Sequence, residues 1–137
     1  MTVQFRDDDT QQTAQSYALG YDALMRDDYA AAIDAFYAVV TCDPTSRVGW
    51  LGLGVSLRCN CTFEPEQQVF ALLLSRNPHD LDALIYRAET LLQSGDRAQA
   101  RACLQQAISL LGHRAAHRLQ PMIDDLNAQL SLAGLRA

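Results

Sequence analysis

The chain has no run of apolar residues near the roughly 18 that a membrane-crossing helix needs, so no helical span is expected. Its start, MTVQFRDDDTQQ, lacks the basic and then apolar regions of a secretory signal, which leaves the cytoplasm as the expected location. Positive charge is also scarce. The 11 basic residues are outnumbered by 16 acidic ones, for a net charge of −5. The only basic cluster, Arg97 to Arg118, is broken up by apolar and neutral residues. A nucleic-acid binder would show a concentrated basic face, so no nucleic-acid partner is expected. Cysteines number four, Cys42, Cys59, Cys61 and Cys103. The middle pair forms C-x-C with no second pair at zinc-ligand spacing, so these read as reduced thiols in apolar roles and no metal site is expected.

Catalytic signals are equally thin. His113 and His117 are four residues apart and could share a helix face, but no third ligand accompanies them, and His79 stands alone. Gly52–Gly54 reads GLG without the lysine or strand context of a phosphate loop. No serine, cysteine or acid sits in a nucleophile setting. Asp7–Asp9 and Asp27–Asp28 read as solvated charge and helix-start caps. The expectation is a protein without a cofactor and without enzymatic activity.

What is present is a repeat. The 137 residues, 49% hydrophobic and 20% charged, suit one folded domain with a core. Tyr29, Phe63 and Arg97 stand 34 residues apart, as do Leu19, Leu53 and Arg87, and Gly20, Gly54 and Ala88. Ala32, Glu66 and Ala100 keep the period, Phe36, Phe70 and Leu104 repeat it, and Pro44, Pro78 and Gly112 close the units. A period of this size signals stacked supersecondary units. The expected division is a frayed segment 1–12, three helical hairpins at 13–46, 47–80 and 81–114, and a capping helix over 115–137. The capping helix rests on an apolar stripe, Leu119, Ile123, Leu126 and Leu130.

The columns have physical reasons. Gly20, Gly54, Ala88, Ala32 and Ala100 are small where two helices must approach closely. Tyr29, Phe63, Phe36 and Phe70 are placed to fill the gap between hairpins. Pro44 and Pro78 end each unit beside the turn formers Asp43 and Asn77. Gly95 suits a helix C-terminus, and Asp96 a cap for the next helix. The middle unit departs from the pattern. Pro65 suggests a helix starting there, capped by Thr62 or Glu64, and Glu66 in the alanine column implies looser packing or a carboxylate turned to solvent.

The first helices of such a solenoid line a concave face. The register places Tyr17, Tyr21, Leu24 and Met25 inward in the first unit, and Val48, Leu51, Val55 and Arg58 in the second. The third supplies Asp82, Ile85, Glu89 and Leu92. The first two sets are apolar for residues that would meet water, which marks a binding surface. With only Arg58 and Arg87 as local cations, an extended apolar peptide suits the groove better than a carboxylate ligand.

Each unit resembles the tetratricopeptide repeat, and "WLGLG" with "DYAAAIDAFYAVVTCDP" carries the resemblance best. The runs "SYALGYDALMRDDYAAAIDAFYAVVTCDP", "SRVGWLGLG" and "YRAETLLQSGDRAQARACLQQAISL" are further similar to the class II chaperones of bacterial type III secretion systems. That resemblance implies an all-α repeat solenoid in the bacterial cytoplasm. It implies partners that are hydrophobic, pore-forming translocator subunits, each held through an extended segment in the groove. The family's groove aromatics fall on Tyr17 and Tyr21, with Leu24 at a position often aromatic. The segment ahead of the first repeat is shorter than usual in the family, where it is implicated in dimerisation, so a homodimer stays open. Two other roles stay open as well: a chaperone of the needle subunit, and an interaction scaffold whose groove is filled by its own C-terminal helix.

Overall fold

The computed structural model describes residues 2–112 and 118–136, with side chains described for 10–112 and 118–131. Among the described residues the chain is helical, in the order α1 (Thr2–Met25), α2 (Tyr29–Cys42), α3 (Arg47–Cys59), α4 (Phe63–Arg76), α5 (Leu81–Gln93), α6 (Arg97–Leu111) and α7 (Gln120–Arg136). It divides into two compact units, Met1–Val69 and Phe70–Ala137, with the boundary inside α4.

The 34-residue period is visible in the hydrogen bonds as well as in the residue types. After α1, α3 and α5 the chain turns through left-handed residues Asp27, Cys61 and Gly95, at φ of 58°, 60° and 94°. In each turn an amide reaches back to close the helix end, Asp28 to Ala23, Thr62 to Leu57 and Asp96 to Leu91, all at 2.9 Å. The following helix is then capped: Asp28 Oδ1 accepts from the Ala31 amide at 3.3 Å, and Asp96 Oδ1 from the Gln99 amide at 3.2 Å. Ser46 and Asp80 do the same for α3 and α5, accepting from Gly49 and Ala83 at 3.0 and 3.3 Å. Each such cap contributes about 1 kcal/mol. Asp43 and Asn77 form the expected turns, accepting from the amides of Thr45 and His79.

In the first unit α2 packs on α1 and α3, and α1 also touches α3. Phe36 is its centre, 1% exposed, with Ala23, Ala32, Val39 and Val40 buried beside it. Burying a ring of that size contributes about 1.5–3 kcal/mol. The helices close on it through glycine. A Cβ built on Gly20 would come within 2.8 Å of one edge of the Phe36 ring, and one on Gly52 within 2.5 Å of the other edge. Gly52 lies outside the repeat columns; its reason is this one ring.

In the second unit α5 packs on α6, and α7 packs on both. Residues on every side of α5 are buried, among them Ala83, Leu84, Ile85, Tyr86 and Ala88. Phe70 stacks on Tyr86 with ring centroids 5.6 Å apart. The expected stripe of α7 is engaged here: Leu119, Ile123, Leu126 and Leu130 are 8%, 3%, 1% and 3% exposed. Arg118 pairs with Asp82 at 2.8 Å ahead of the helix, and Arg101 donates to the Leu130 carbonyl at 3.1 Å near its end.

Several sequence expectations need correction. The backbone ahead of Thr13 is helical, because α1 runs continuously from Thr2. The fourth helix starts at Phe63 rather than at Pro65, directly after Thr62. Pro65 fits there because the first amides of a helix have no internal acceptor. Glu66 is not turned to solvent but 0% exposed, while Phe63, expected between hairpins, is 41% exposed. Leu19 is also outward, 63% exposed. In the last helix Pro121 sits in the first turn, where a missing amide hydrogen is tolerated. The expected beginning of that helix at 115, and the pair His113 and His117, lie outside the described residues.

Candidate functional site

The long first helix of the repeat register presents Tyr17, Tyr21 and Leu24 at spacings of four and three, one stripe of α1. Tyr17 has two roles. Its ring meets Phe36 edge-on at 5.7 Å, which fixes it to the core, yet 37% of the residue stays open to solvent. Tyr21 is 57% exposed, Met25 72% and Val48 51%, while Leu24, Leu51, Val55 and Arg58 are half-buried. Of the eight large apolar residues exposed among the described residues, Tyr17, Leu19, Tyr21, Met25 and Val48 lie on α1 and α3. Large side chains left in water in this number are out of keeping with a surface that only solvates the fold.

A cleft of about 540 Å³ opens in the same unit. Thr10, Thr13, Ala14 and Tyr17 of α1 form one wall. The end of α2 supplies Val39, Cys42 and Asp43, and the start of α3 supplies Ser46 and Val48. Tyr17 and Val48, separate in sequence, are thus brought to one cavity. The other lining residues were missed by the sequence reading. Their signal was present as a helical spacing, Thr10, Thr13, Ala14 and Tyr17, which carries the Tyr17–Tyr21–Leu24 stripe back toward the N-terminus. Thr10 is polar and lies ahead of the first repeat, so residue type alone does not extend the stripe to it.

On α5 the expected set divides. Glu89 and Leu92 are half-buried. Ile85 is 0% exposed and Asp82 is 7% exposed, so neither can meet a ligand on an open face. The reason is that α5 packs on both α6 and α7 and buries residues from Asp82 through Tyr86, which leaves Asp82 and Ile85 no open stripe.

The chemistry available is that of adhesion. Among the described residues no group of three or more His, Cys, Asp or Glu is placed to hold a metal, and no helix is long and apolar enough to cross a membrane. Burial holds the thiol of Cys59 above its ordinary value, against the opposing charge of Arg58. Burial does the same for Cys103, against the charge and hydrogen bond of Arg87. A raised thiol is a poor nucleophile at neutral pH.

No protein-family model and no curated protein sequence matches the chain. Solved structures do. The type III secretion chaperone SycD of Yersinia enterocolitica, in complex with a peptide of the translocator YopD, is 20% identical, over 90% of this chain and 92% of that one, at a TM-score of 0.79. PcrH, in complex with the chaperone binding region of PopD, is 24% identical over 90% and 91%, at 0.76. The TPR2B domain of yeast Sti1, in a pHsp70 complex, is 16% identical over 90% and 98%, at 0.79. At these identities the likeness speaks for architecture alone: this chain has the all-α tetratricopeptide-repeat fold.

Proposed function

We propose that this protein is a cytoplasmic, non-enzymatic chaperone of a bacterial type III secretion system. In this reading it holds an extended apolar segment of a translocator subunit and keeps that subunit soluble before export. The observation that carries the reading is the row Tyr17, Tyr21 and Met25 on α1, with Val48 on α3, left in water while the tail's own apolar stripe is buried in the second unit. Two similar structures, those of SycD and PcrH, are complexes with parts of the translocators YopD and PopD, which supports the choice of partner.

The binding residues in the first unit are Tyr17, Tyr21, Leu24, Met25, Val48, Leu51, Val55 and Arg58. Burying apolar side chains of the cargo there gains about 25 cal/mol per Å² removed from water, enough to compete with self-association of a membrane-seeking segment. The three repeats 13–46, 47–80 and 81–114, with residues 115–137 as a cap, are the proposed functional division. The test is co-expression with the translocator genes of the same locus. Tyr21→Ala and Leu51→Glu should keep the helical spectrum and lose the co-purifying translocator. Normal co-purification by both variants would overturn the assignment. Capture of the needle subunit in place of a translocator would replace it.

A further inference from the structure

The cleft beside Tyr17 has a chemistry distinct from the rest of the exposed row. Ala14, Tyr17, Val39 and Val48 give its lining a large apolar part, Thr10, Thr13 and Ser46 add hydroxyls, and Asp43 is the one charged residue that lines it. Asp43 Oδ1 is held in place by the amide and hydroxyl of Thr45, at 3.1 and 2.6 Å. The carboxylate also stands at the C-terminal end of α2, where the helix carbonyls carry partial negative charge, and no basic residue occupies that last turn. The positive features nearby are weaker. The start of α3 is met by its own cap, Ser46 Oγ accepting from Gly49, and Arg47 is exposed and outside the lining. The unit as a whole is acidic: residues 1–69 hold four arginines against ten acidic residues, whereas 70–137 hold seven against six.

We infer that this cleft is a subsite for a single basic side chain, a lysine or arginine of the bound segment. The methylene stem lies along Tyr17, Val39 and Val48, and the cationic head meets Asp43 and the carbonyl end of α2. Long basic side chains bury their stems on apolar surface while the charge stays near a polar rim, which is the shape of this cavity. A volume of about 540 Å³ is within the roughly 300–1,000 Å³ range of ligand pockets and admits such a side chain with its flanking backbone. The Tyr17 ring adds attraction for a cation over its face. The inference rests on the proposed function only in naming the chain that brings the basic residue. It predicts that the held segment is apolar with one cation, not apolar throughout.

Cys42 lines the cleft and is exposed, so the subsite can be probed without any cargo. The full-length protein is equilibrated, in a redox buffer of 2-mercaptoethanol and its disulfide (the disulfide being the oxidant reduced in the exchange), with three thiols of similar length: 6-aminohexanethiol, hexanethiol and 6-mercaptohexanoic acid. Capture at Cys42 is read by acid-quenched digestion and mass spectrometry, with the urea-unfolded chain giving the intrinsic ratio. The ammonium thiol should be favoured about 2–5-fold over the neutral one, the range for a partly exposed charge pair, and the carboxylate should be disfavoured. Asp43→Asn keeps the acceptor for Thr45 and removes the charge, so the preference should vanish in it. Equal capture of the ammonium and neutral thiols, or an unchanged preference in Asp43→Asn, overturns the subsite. Either result leaves the Tyr21→Ala co-purification test to decide the chaperone reading separately.

Discussion

Gly52 abuts the ring of Phe36 so closely that a methyl group in its place would come within 2.5 Å of it. The opposite edge of the same ring meets Gly20, so the ring has no direction in which to retreat. Gly52→Ala would ordinarily help an α-helix by about 1 kcal/mol. Here overpacking should dominate, at about 1–3 kcal/mol, and the expected net effect is destabilisation. Urea unfolding should show a lower midpoint at unchanged slope. Combining Gly52→Ala with Phe36→Leu should cost less than the sum of the two single changes, since the two sites share one contact.

The three left-handed turn residues make an internal comparison. Gly95 adopts φ of 94° without a side chain, while Cys61 adopts 60° with one. A left-handed non-glycine residue costs roughly 1–2 kcal/mol, part of which is returned by the greater freedom of glycine when unfolded. Cys61→Gly should therefore raise stability by about 0.5–1 kcal/mol. Asp27→Gly should gain less, because Asp27 Oδ1 also accepts from the Tyr29 hydroxyl at 3.1 Å. Gly95→Ala should lower stability. Thermal unfolding of the three variants, side by side, tests the ranking.

The period of the chain was legible because it is enforced by backbone chemistry. A cap, a left-handed turn and a small residue must recur wherever the hairpin recurs, and all three leave a mark in residue type. The burial of single side chains was less legible. Glu66 occupies an alanine column yet is fully buried, and Phe63 occupies an aromatic column yet is 41% exposed. Register names the helix face, but successive residues on a helix differ by a fixed angle, and a small shift in where α4 begins moves a side chain across the boundary of the face. Ile85 was assigned to an open surface because its unit was treated as equivalent to the first. The two differ: α5 carries buried residues on every side, whereas α1 and α3 keep large apolar residues exposed. The cleft was only partly legible for a related reason: its α1 wall follows a helical spacing, but no linear pattern records where three helices meet.

The packing of α7 can be weighed. Leu126 of α7 is 1% exposed, at the middle of a stripe that includes Ile123 and Leu130. Leu126→Ala should cost about 2–5 kcal/mol, the range for a leucine removed from a packed interior. Asn127→Ala, one residue along on the exposed side, should stay within about 0.5 kcal/mol. If the two variants unfold at the same urea concentration, α7 is not part of the folded unit.

The thiols give a prediction with a defined sign. Cys59 and Cys103 are held above the ordinary thiol value chiefly by burial, which disfavours the charged thiolate. Around pH 8 iodoacetamide should therefore modify exposed Cys42 and Cys61 first, with Cys59 and Cys103 lagging until the solution is more alkaline. The same shifts act on stability. The folded chain holds these protons more tightly than the unfolded chain, so their contribution is complete below the ordinary thiol value and is lost as the pH rises through the folded-state value. The unfolding midpoint should fall on the alkaline side, and Cys59→Ala with Cys103→Ala should flatten that fall. A decline equally steep in the double variant would assign it to other groups, such as the Tyr29 hydroxyl. That group is itself raised, first by its hydrogen bond to Asp27 and then by the charge of that carboxylate.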